Sequence, residues 1–406
     1  MKKVGILGFG VVGSGVAEVI AMNQERITKH MGEEVVVSKI LDLRKFPDSL
    51  FADFITDDAE AFFNEDLSII VETIGGARIA YEYTKRALSK GISVVTSNKE
   101  LVATHGVELM QLAEDNSCCY LFEAAVGGGI PIIRPMHRCL AANQIMQIAG
   151  IVNGTTNYIL TSMRDGGISY EEALKQAQQK GYAEQNPSAD VDGIDAQRKI
   201  SILSSIALDG LYVDPTTINT VGISNITLND IIFAEEIGCS VKLLARFVHP
   251  FNDEPAVFVA PHFVDKSKIL ASVDDVFNAI LVEGNALGES LFYGQGAGKL
   301  ATASAVVGDV LDAGLHMNRN AHITKWYNPE FGQKVIKDYD DIIVDIVVKA
   351  SSCKLDELTK AFAGYDTKVM CDNEKNTAIC VMDIAHKDIE EKISNIDGAS
   401  WIHYYI

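Results

Sequence analysis

The sequence lacks most of what marks membrane-spanning, secreted and nucleic-acid-binding proteins. No run of about 18 apolar residues occurs, so no segment reads as a membrane-spanning helix. The start, Met1-Lys2-Lys3 and then apolar residues, imitates an export signal. Gly8, Gly10, Gly13 and Gly15 interrupt that run, and Glu18 follows before any cleavage-like site. Seven cysteines, at 118, 119, 139, 239, 353, 371 and 380, include no C-x-x-C pair, and so odd and scattered a set reads as reduced thiols of a cytoplasmic protein. Cations are scarce: 35 Lys and Arg against 55 Asp and Glu leave a net charge of -20, which argues against nucleic acid or an anionic membrane surface as a partner. The nine histidines show no metal-ligand spacing and read as structural. No low-complexity segment or short repeat is present.

What remains is ample for a large globular fold: 406 residues, 48% hydrophobic, favour two or three domains. Strand and helix patterns alternate at first, which predicts an α/β domain with a parallel sheet. Lys2–Leu7 reads as a buried strand and Val11–Met22 as a helix, joined by Gly8-Phe9-Gly10-Val11-Val12-Gly13. A G-x-G-x-x-G spacing in that context cradles a dinucleotide pyrophosphate at the helix N-terminus. Asp42, ending the predicted strand Val35–Leu41, is placed to bind the adenosine ribose hydroxyls. Further strands are predicted at Ser68–Thr73, Ser93–Thr96 and Tyr120–Val126. Ser97-Asn98-Lys99-Glu100 opens a helix with serine as the expected cap. A strand at Ile145–Val152 runs into Asn153-Gly154-Thr155.

The densest chemistry lies between Ala177 and Lys199. A helix capped by Ser169 ends at Gly181, and Asn186-Pro187 bars helix in the middle. Helical pattern resumes near Gly193, which sets Asp195 and Lys199 at i and i+4 on one face. Alone, that pair would be an ordinary surface ion pair. The loop is expected to aim Glu184, Asp190 and Asp192 near the same helix start, and a lysine held against carboxylates in a cleft can bind an amino-acid-like substrate and move a proton.

The pattern A-x3-G-[aromatic]-[small]-x2-N-P-x2-D-V-x-G-x-D-x3-K, met here without a gap, resembles the signature of homoserine dehydrogenases, and the other blocks resemble that family over nearly the whole chain. The resemblance implies NAD(P)-dependent interconversion of L-homoserine and L-aspartate 4-semialdehyde, in threonine, methionine and isoleucine biosynthesis, by a homodimer or homotetramer. It implies Lys199 as proton carrier with Lys99 as second candidate, and Asp195 and Asp190 holding the lysine and the substrate hydroxyl. Glu184 would bind the substrate ammonium, with Tyr182, Gly154 and Thr155 also at the substrate. Thr73, Ser97, Lys99 and Gly296 would join the glycine turn at the cofactor. Glu123, with the carbonyls of Val126, Gly128 and Ile130, matches a monovalent-cation site suited to sodium. Many members carry arginine just before the ribose-binding aspartate; here that position is Leu41, so NAD is expected to serve at least as well as NADP.

The expected domains are 1–133, completed by about 299–318, for the dinucleotide; 134–318 for substrate and dimerisation; a linker at 319–339; and 340–406. The last reads βαββαβ, ferredoxin-like, and resembles an ACT regulatory domain. Its Ser351-Ser352-Cys353-Lys354-Leu355 turn lacks the family's Pro and Gly, which leaves an effector there unexpected. Another dehydrogenase on the same fold, or a non-enzymatic NAD(P) sensor, stays open at this point.

Overall fold

The β-branched and apolar run Lys2–Leu7 forms a strand that stops where Gly8 takes φ +89°. The computed structural model describes residues 1–316, 325–351 and 354–406. In chain order the first elements are β1 (Lys2–Leu7), α1 (Val11–Met22), α2 (Gln24–Met31), β2 (Val35–Leu41), β3 (Ile55–Thr56), α3 (Ala59–Phe63), β4 (Ile69–Glu72), α4 (Arg78–Ser89), β5 (Ser93–Thr96), α5 (Lys99–Asp115), β6 (Tyr120–Leu121) and α6 (Ile133–Arg138). There follow β7 (Ile145–Ile151), α7 (Gly154–Gly166), α8 (Tyr170–Gln179), α9 (Ser188–Val191), α10 (Ile194–Ala207), β8 (Asn219–Thr220), α11 (Leu228–Glu236), β9 (Cys239–Val248), β10 (Ala256–Asp265), β11 (Phe277–Gly284), β12 (Gly288–Gln295) and α12 (Lys299–His316). The chain closes with β13 (Ile343–Ser351), α13 (Leu355–Ala361), β14 (Thr367–Asp372), β15 (Asn376–Ala385), α14 (His386–Ile393) and β16 (Ser400–Tyr405).

Two compact units result. The first comprises Met1–Ile145, Ser201–Pro215 and Gly284–Gln333. Its sheet has the order β3-β2-β1-β4-β5-β6 with every pairing parallel. The order reverses between β1 and β4, which opens a ligand crevice at their carboxyl ends. Val4 and Ile6 of β1, Val16 and Ile20 of α1, and Ala303, Val306 and Val310 of α12 share one core. Each such larger side chain contributes about 1.5–3 kcal/mol on burial. Glycine lets α1 and α12 touch: a Cβ on Gly15 would stand 2.7 Å from the Lys299 carbonyl oxygen.

Two sequence expectations change here. The strand expected over Tyr120–Val126 stops at Leu121, because Glu123 enters a 3-10 turn and its carboxylate caps the start of α6. The expected linker at 319–339 is partly core: Trp326 is 2% exposed and packs on Phe122 and Tyr212, while residues 319–324 lie outside the described residues.

The second unit comprises Met146–Ile200, Thr216–Glu283 and Lys334–Ile406. Its strands run β11-β7-β9-β10-β16-β13-β15-β14, with β8 also on β10. The last four make the expected βαββαβ arrangement, yet not as a module apart. β16 pairs in parallel with β10, His262–Val264 against His403–Tyr405. Alternation along β10 then sets Phe258 and Ala260 into one core with Ile346, Val348, Phe362 and Ile379. Residues Ser352 and Cys353 of the turn without Pro or Gly lie outside the described residues. No helix among the described residues is long and apolar enough to cross a membrane.

Candidate active site

The turn between β1 and α1 is built for a phosphate. A Cβ on Gly13 would stand 2.0 Å from the Gly8 carbonyl oxygen, so only glycine lets the helix start lie on the strand end. No side chain caps α1, and its first turn holds no acid, which leaves its N–H groups and dipole to an anion. Thr73, just past β4, donates its hydroxyl to the carbonyls of Leu7 (3.0 Å) and Gly8 (2.8 Å) and pins the turn from the neighbouring strand.

Asp42 is bound more tightly than its expected ribose role needs. Its carboxylate accepts the Phe9 N–H at 2.6 Å and two guanidinium bonds from Arg44 at 3.0 and 2.8 Å. The Arg44 guanidinium beside it, chiefly, pulls its pKa down to about 2. Arg44 itself is exposed and lies over Gly10, 3.6 Å from where a Cβ would be. Leu41 is 6% exposed, so an arginine in its place would enter the core.

Sequence reasoning missed a carboxyl at the ends of β4 and β5. Glu72, fully buried, accepts the Thr96 hydroxyl at 2.6 Å and the Ile74 N–H at 2.6 Å. Burial pushes its pKa up to about 7. The Asn98 side chain, not Ser97, caps α5, accepting from the Leu101 N–H and donating to the Ile74 and Gly76 carbonyls. Lys99 is the first residue of that helix.

Around Gly128 the chain is as crowded as at Gly13. A Cβ there would stand 2.3 Å from the Gly296 carbonyl oxygen, and the Gly129 N–H donates to the Gln295 carbonyl at 3.2 Å. Gly296 thus meets the Val126–Ile130 turn. The Glu123 carboxylate is already taken, accepting the N–H groups of Ile132, Ile133 and Arg134 at 2.6, 2.9 and 2.7 Å. Behind it, burial pushes Asp309 up to about 7 although Arg134 pairs with it.

The second unit assembles the pair on α10. Lys199 Nζ donates to Asp195 Oδ2 at 2.7 Å and to the Val152 carbonyl at 2.6 Å, and both side chains are about nine-tenths buried. Asn153, unremarked in the sequence as a site residue, is the hub. Its amide nitrogen donates to Asp190 Oδ1 at 2.7 Å and Asp195 Oδ2 at 2.8 Å, while its oxygen caps α7 by accepting from the Thr156 N–H at 2.9 Å. Cap and site are one residue. Its signal was visible in Asn153-Gly154-Thr155 at a strand-to-helix junction.

A nearly buried lysine that donates to a carboxylate and, separately, to a backbone carbonyl is arranged for proton transfer. The nucleotide turn of the first unit asks for a dinucleotide. Comparison with known proteins then decides the matter. The family profile described as homoserine dehydrogenase matches residues 131–311, and its NAD-binding-domain profile matches residues 8–123.

The chain belongs to the homoserine dehydrogenase family.

A homoserine dehydrogenase from Neisseria gonorrhoeae is 42% identical over 76% of this chain and 72% of that protein. One from Corynebacterium glutamicum is 37% identical over 96% of this chain and 90% of its own. The crystal structure of a homoserine dehydrogenase from Thiobacillus denitrificans superposes with TM-score 0.88 at 33% identity, covering 99% of this chain and 98% of that one. A hyperthermophilic archaeal homoserine dehydrogenase in complex with NADPH gives TM-score 0.66 at 32% identity, over 78% of this chain and 98% of that one. The protein is accordingly an NAD(P)-dependent oxidoreductase of amino-acid biosynthesis.

Within the family signature the structure gathers some residues and not others. Asn153 bonds both Asp190 and Asp195, and Lys199 joins them through Asp195. The Thr155 hydroxyl is given to the Tyr182 carbonyl at 2.6 Å, and the Tyr182 ring sets its edge on Tyr158. Gly154 is fixed by crowding, since a Cβ would stand 2.7 Å from the Val276 carbonyl oxygen. Asp192 is turned outward to Ser224, and Glu184 is exposed on the loop, so of three further carboxylates only Asp190 reaches the lysine's cluster. Pro187 bars helix only behind it: the short α9 begins at the next residue.

Proposed function

We propose that Lys199 takes the hydroxyl proton as L-homoserine becomes L-aspartate 4-semialdehyde. The observation that carries this is the seat of its amine, 2.7 Å from Asp195 and nearly buried. The reaction removes one hydride from the terminal carbon and one proton from its oxygen, leaving a carbonyl. A bound nicotinamide supplies the hydride acceptor. In neutral form the Lys199 amine accepts the proton, and Asp195 stabilises the ammonium that results. Asp190, held by Asn153, is available to the substrate hydroxyl, and exposed Glu184 to its ammonium.

The residues of the first unit fit a dinucleotide. Gly8 to Gly13 leave the backbone bare, and Val11 and Val12 would offer their N–H groups at the turn, while the Phe9 N–H is held by Asp42. Asp42 would take the ribose and Arg44 a 2′-phosphate, so we read both NAD and NADP as usable, with Thr73, Ser97, Lys99 and Gly296 nearer the nicotinamide. Sodium fits less well as first expected. With the Glu123 carboxylate committed to three N–H donors, a cation would rest on the carbonyls of Val126, Gly128 and Ile130. The described cysteines are all free, which supports a cytoplasmic protein. An uncovered edge strand, β14, with Val369 half exposed, supports a homo-oligomer, dimer or tetramer. Initial rates with L-homoserine and each of NAD and NADP test the reading. Turnover with neither would end it.

A further inference from the structure

Lys242 is a buried charge that the chemistry at Lys199 does not use. It lies on β9, between β7 and β10, and its side chain is 1% exposed. A lysine in such a place costs more to bury than an apolar residue would. Its three N–H donors meet three acceptors: the Val273 carbonyl, Asn157 Oδ1 at 3.3 Å and Asp274 Oδ1 at 3.0 Å. Two of these belong to the turn at 273–277, which leads into β11, and the third to α7.

That turn is fastened to α7 at several further points. Asn157 Nδ2 donates to the carbonyls of Val273 at 3.0 Å and Phe277 at 3.1 Å. The Asp275 N–H donates to the Thr161 hydroxyl oxygen at 3.1 Å, and Arg164 reaches Asp274 at 2.9 Å. Asp275 takes φ +57°, a conformation that a residue other than glycine keeps when its surroundings hold it there. The Asn157 amide would lose both carbonyls if it turned over, with oxygen then facing oxygen. The ammonium on its Oδ1 is the contact that fixes its sense.

The turn bears in its own right on the lysine's cluster. Its Val276 carbonyl presses on Gly154, where a Cβ would stand 2.7 Å from the oxygen. Gly154 opens α7 directly after Asn153, and Asn157 sits about one helical turn further along. Lys242 therefore grips both sides of the Gly154 contact, the turn that presses and the helix that is pressed. We propose that Lys242 is a positioning residue for L-homoserine. By fixing the Asn157 amide and the turn, it sets where the Asn153 end of α7 stands, and with it the two carboxylates that Asn153 bonds. This rests on the reading of the Asn153 cluster as the substrate site.

Steady-state kinetics and thermal melting of full-length Lys242→Met test the proposal. In that variant Asp274 keeps Arg164 and the Val273 carbonyl keeps Asn157, so orientation is lost more than stability. KM for L-homoserine should rise about tenfold or more, with kcat lowered by less than that. The Kd for NAD should hold, and Tm should stay within about 5 °C of the parent's. A lysine that serves the fold alone would give the reverse, a large fall in Tm with KM kept, and that result would overturn the proposal. Thr161→Val loosens the same turn without touching a charge and should raise KM by about threefold or more, so it decides the matter where Lys242→Met does not fold. An unchanged KM there would count against the turn. In an Asn157→Leu background, Lys242→Met should add less than about twofold to KM, because its action runs through that amide. Fully additive effects would overturn that route. Asn153→Ala tells the two readings apart: if it leaves L-homoserine kinetics intact, the substrate site itself is misplaced, whereas impaired Asn153→Ala beside normal Lys242→Met removes only the role of Lys242.

Discussion

In the first unit the cofactor seat is backbone: Gly8, Gly10 and Gly13 leave room, α1 offers uncapped N–H groups, and the side chains around them serve to hold the turn still. In the second unit the site is side chains: Asn153, Asp190, Asp195 and Lys199, drawn from three segments of chain and bonded to one another. A site of backbone tolerates change in what surrounds it and none in its glycines. A site of side chains should fail one function at a time, according to which atom is removed.

The largest effect that would sharpen this contrast is on turnover. Lys199→Ala should lower kcat by about 10²-fold or more while cofactor affinity holds, since the residue lies in the second unit. Near-normal turnover would pass the proton to Lys99. Next comes Gly13→Ala, whose Cβ would overlap the Gly8 carbonyl. Cofactor affinity by fluorescence titration should fall by at least about tenfold, from a few kcal/mol of forced displacement. Unchanged affinity would show that the seat is not made of backbone. Asn153→Ala should cost stability and activity together: about 1 kcal/mol for the lost cap, and kcat/KM lower by roughly tenfold or more as Asp190 and Asp195 each lose the bond from the Asn153 amide. A stability loss with full activity would separate cap from site.

Arg44→Ala should reduce kcat/KM with NADP by about tenfold relative to NAD. An unchanged ratio would free Asp42 and Arg44 from any part in the choice. Leu41→Arg, attractive from the sequence, should instead destabilise the protein, because Leu41 is buried.

The last expected effect is on stability alone and concerns Glu72. Its native pKa is raised from 4.5 to about 7, so between those values the folded state holds a proton that the unfolded state has released. Stability therefore falls as pH rises through that window, by roughly 3 kcal/mol at most. Melting curves of Glu72→Gln between pH 5 and 8 should be flatter than the parent's, with Asp309, also raised to about 7, supplying the slope that remains. An unaltered slope would assign the whole dependence elsewhere.

Legibility in the sequence followed the same division. β1, α1, β2 and β5 lie on the residues their patterns indicate, because glycine spacing and apolar runs are local. Lys199 and Asp195 were readable for the same reason, being one helical turn apart. Asn153 was readable as the residue at a strand-to-helix junction but not as the hub of the site, since its partners lie well downstream and only the fold brings them to it. Glu72 falls inside the predicted strand Ser68–Thr73, whose pattern gives no sign of its burial; that depends on Thr96 and on the strands beside it. The end of β6 at Leu121 could not be read from β-propensity, which carries no record of a carboxylate drawn to Ile132. The C-terminal βαββαβ order was plain, but its sharing of a sheet with β10 rests on three residue pairs of long separation.

That shared sheet also sets an order of assembly during synthesis. β16 is made after every other strand of the sheet, yet its place is between β10 and β13. From the time β10 leaves the ribosome until β16 follows, on the order of ten seconds, the nascent chain carries a strand edge whose partner does not exist yet. The interval is a window in which a chaperone, or a neighbouring nascent chain, competes for that edge.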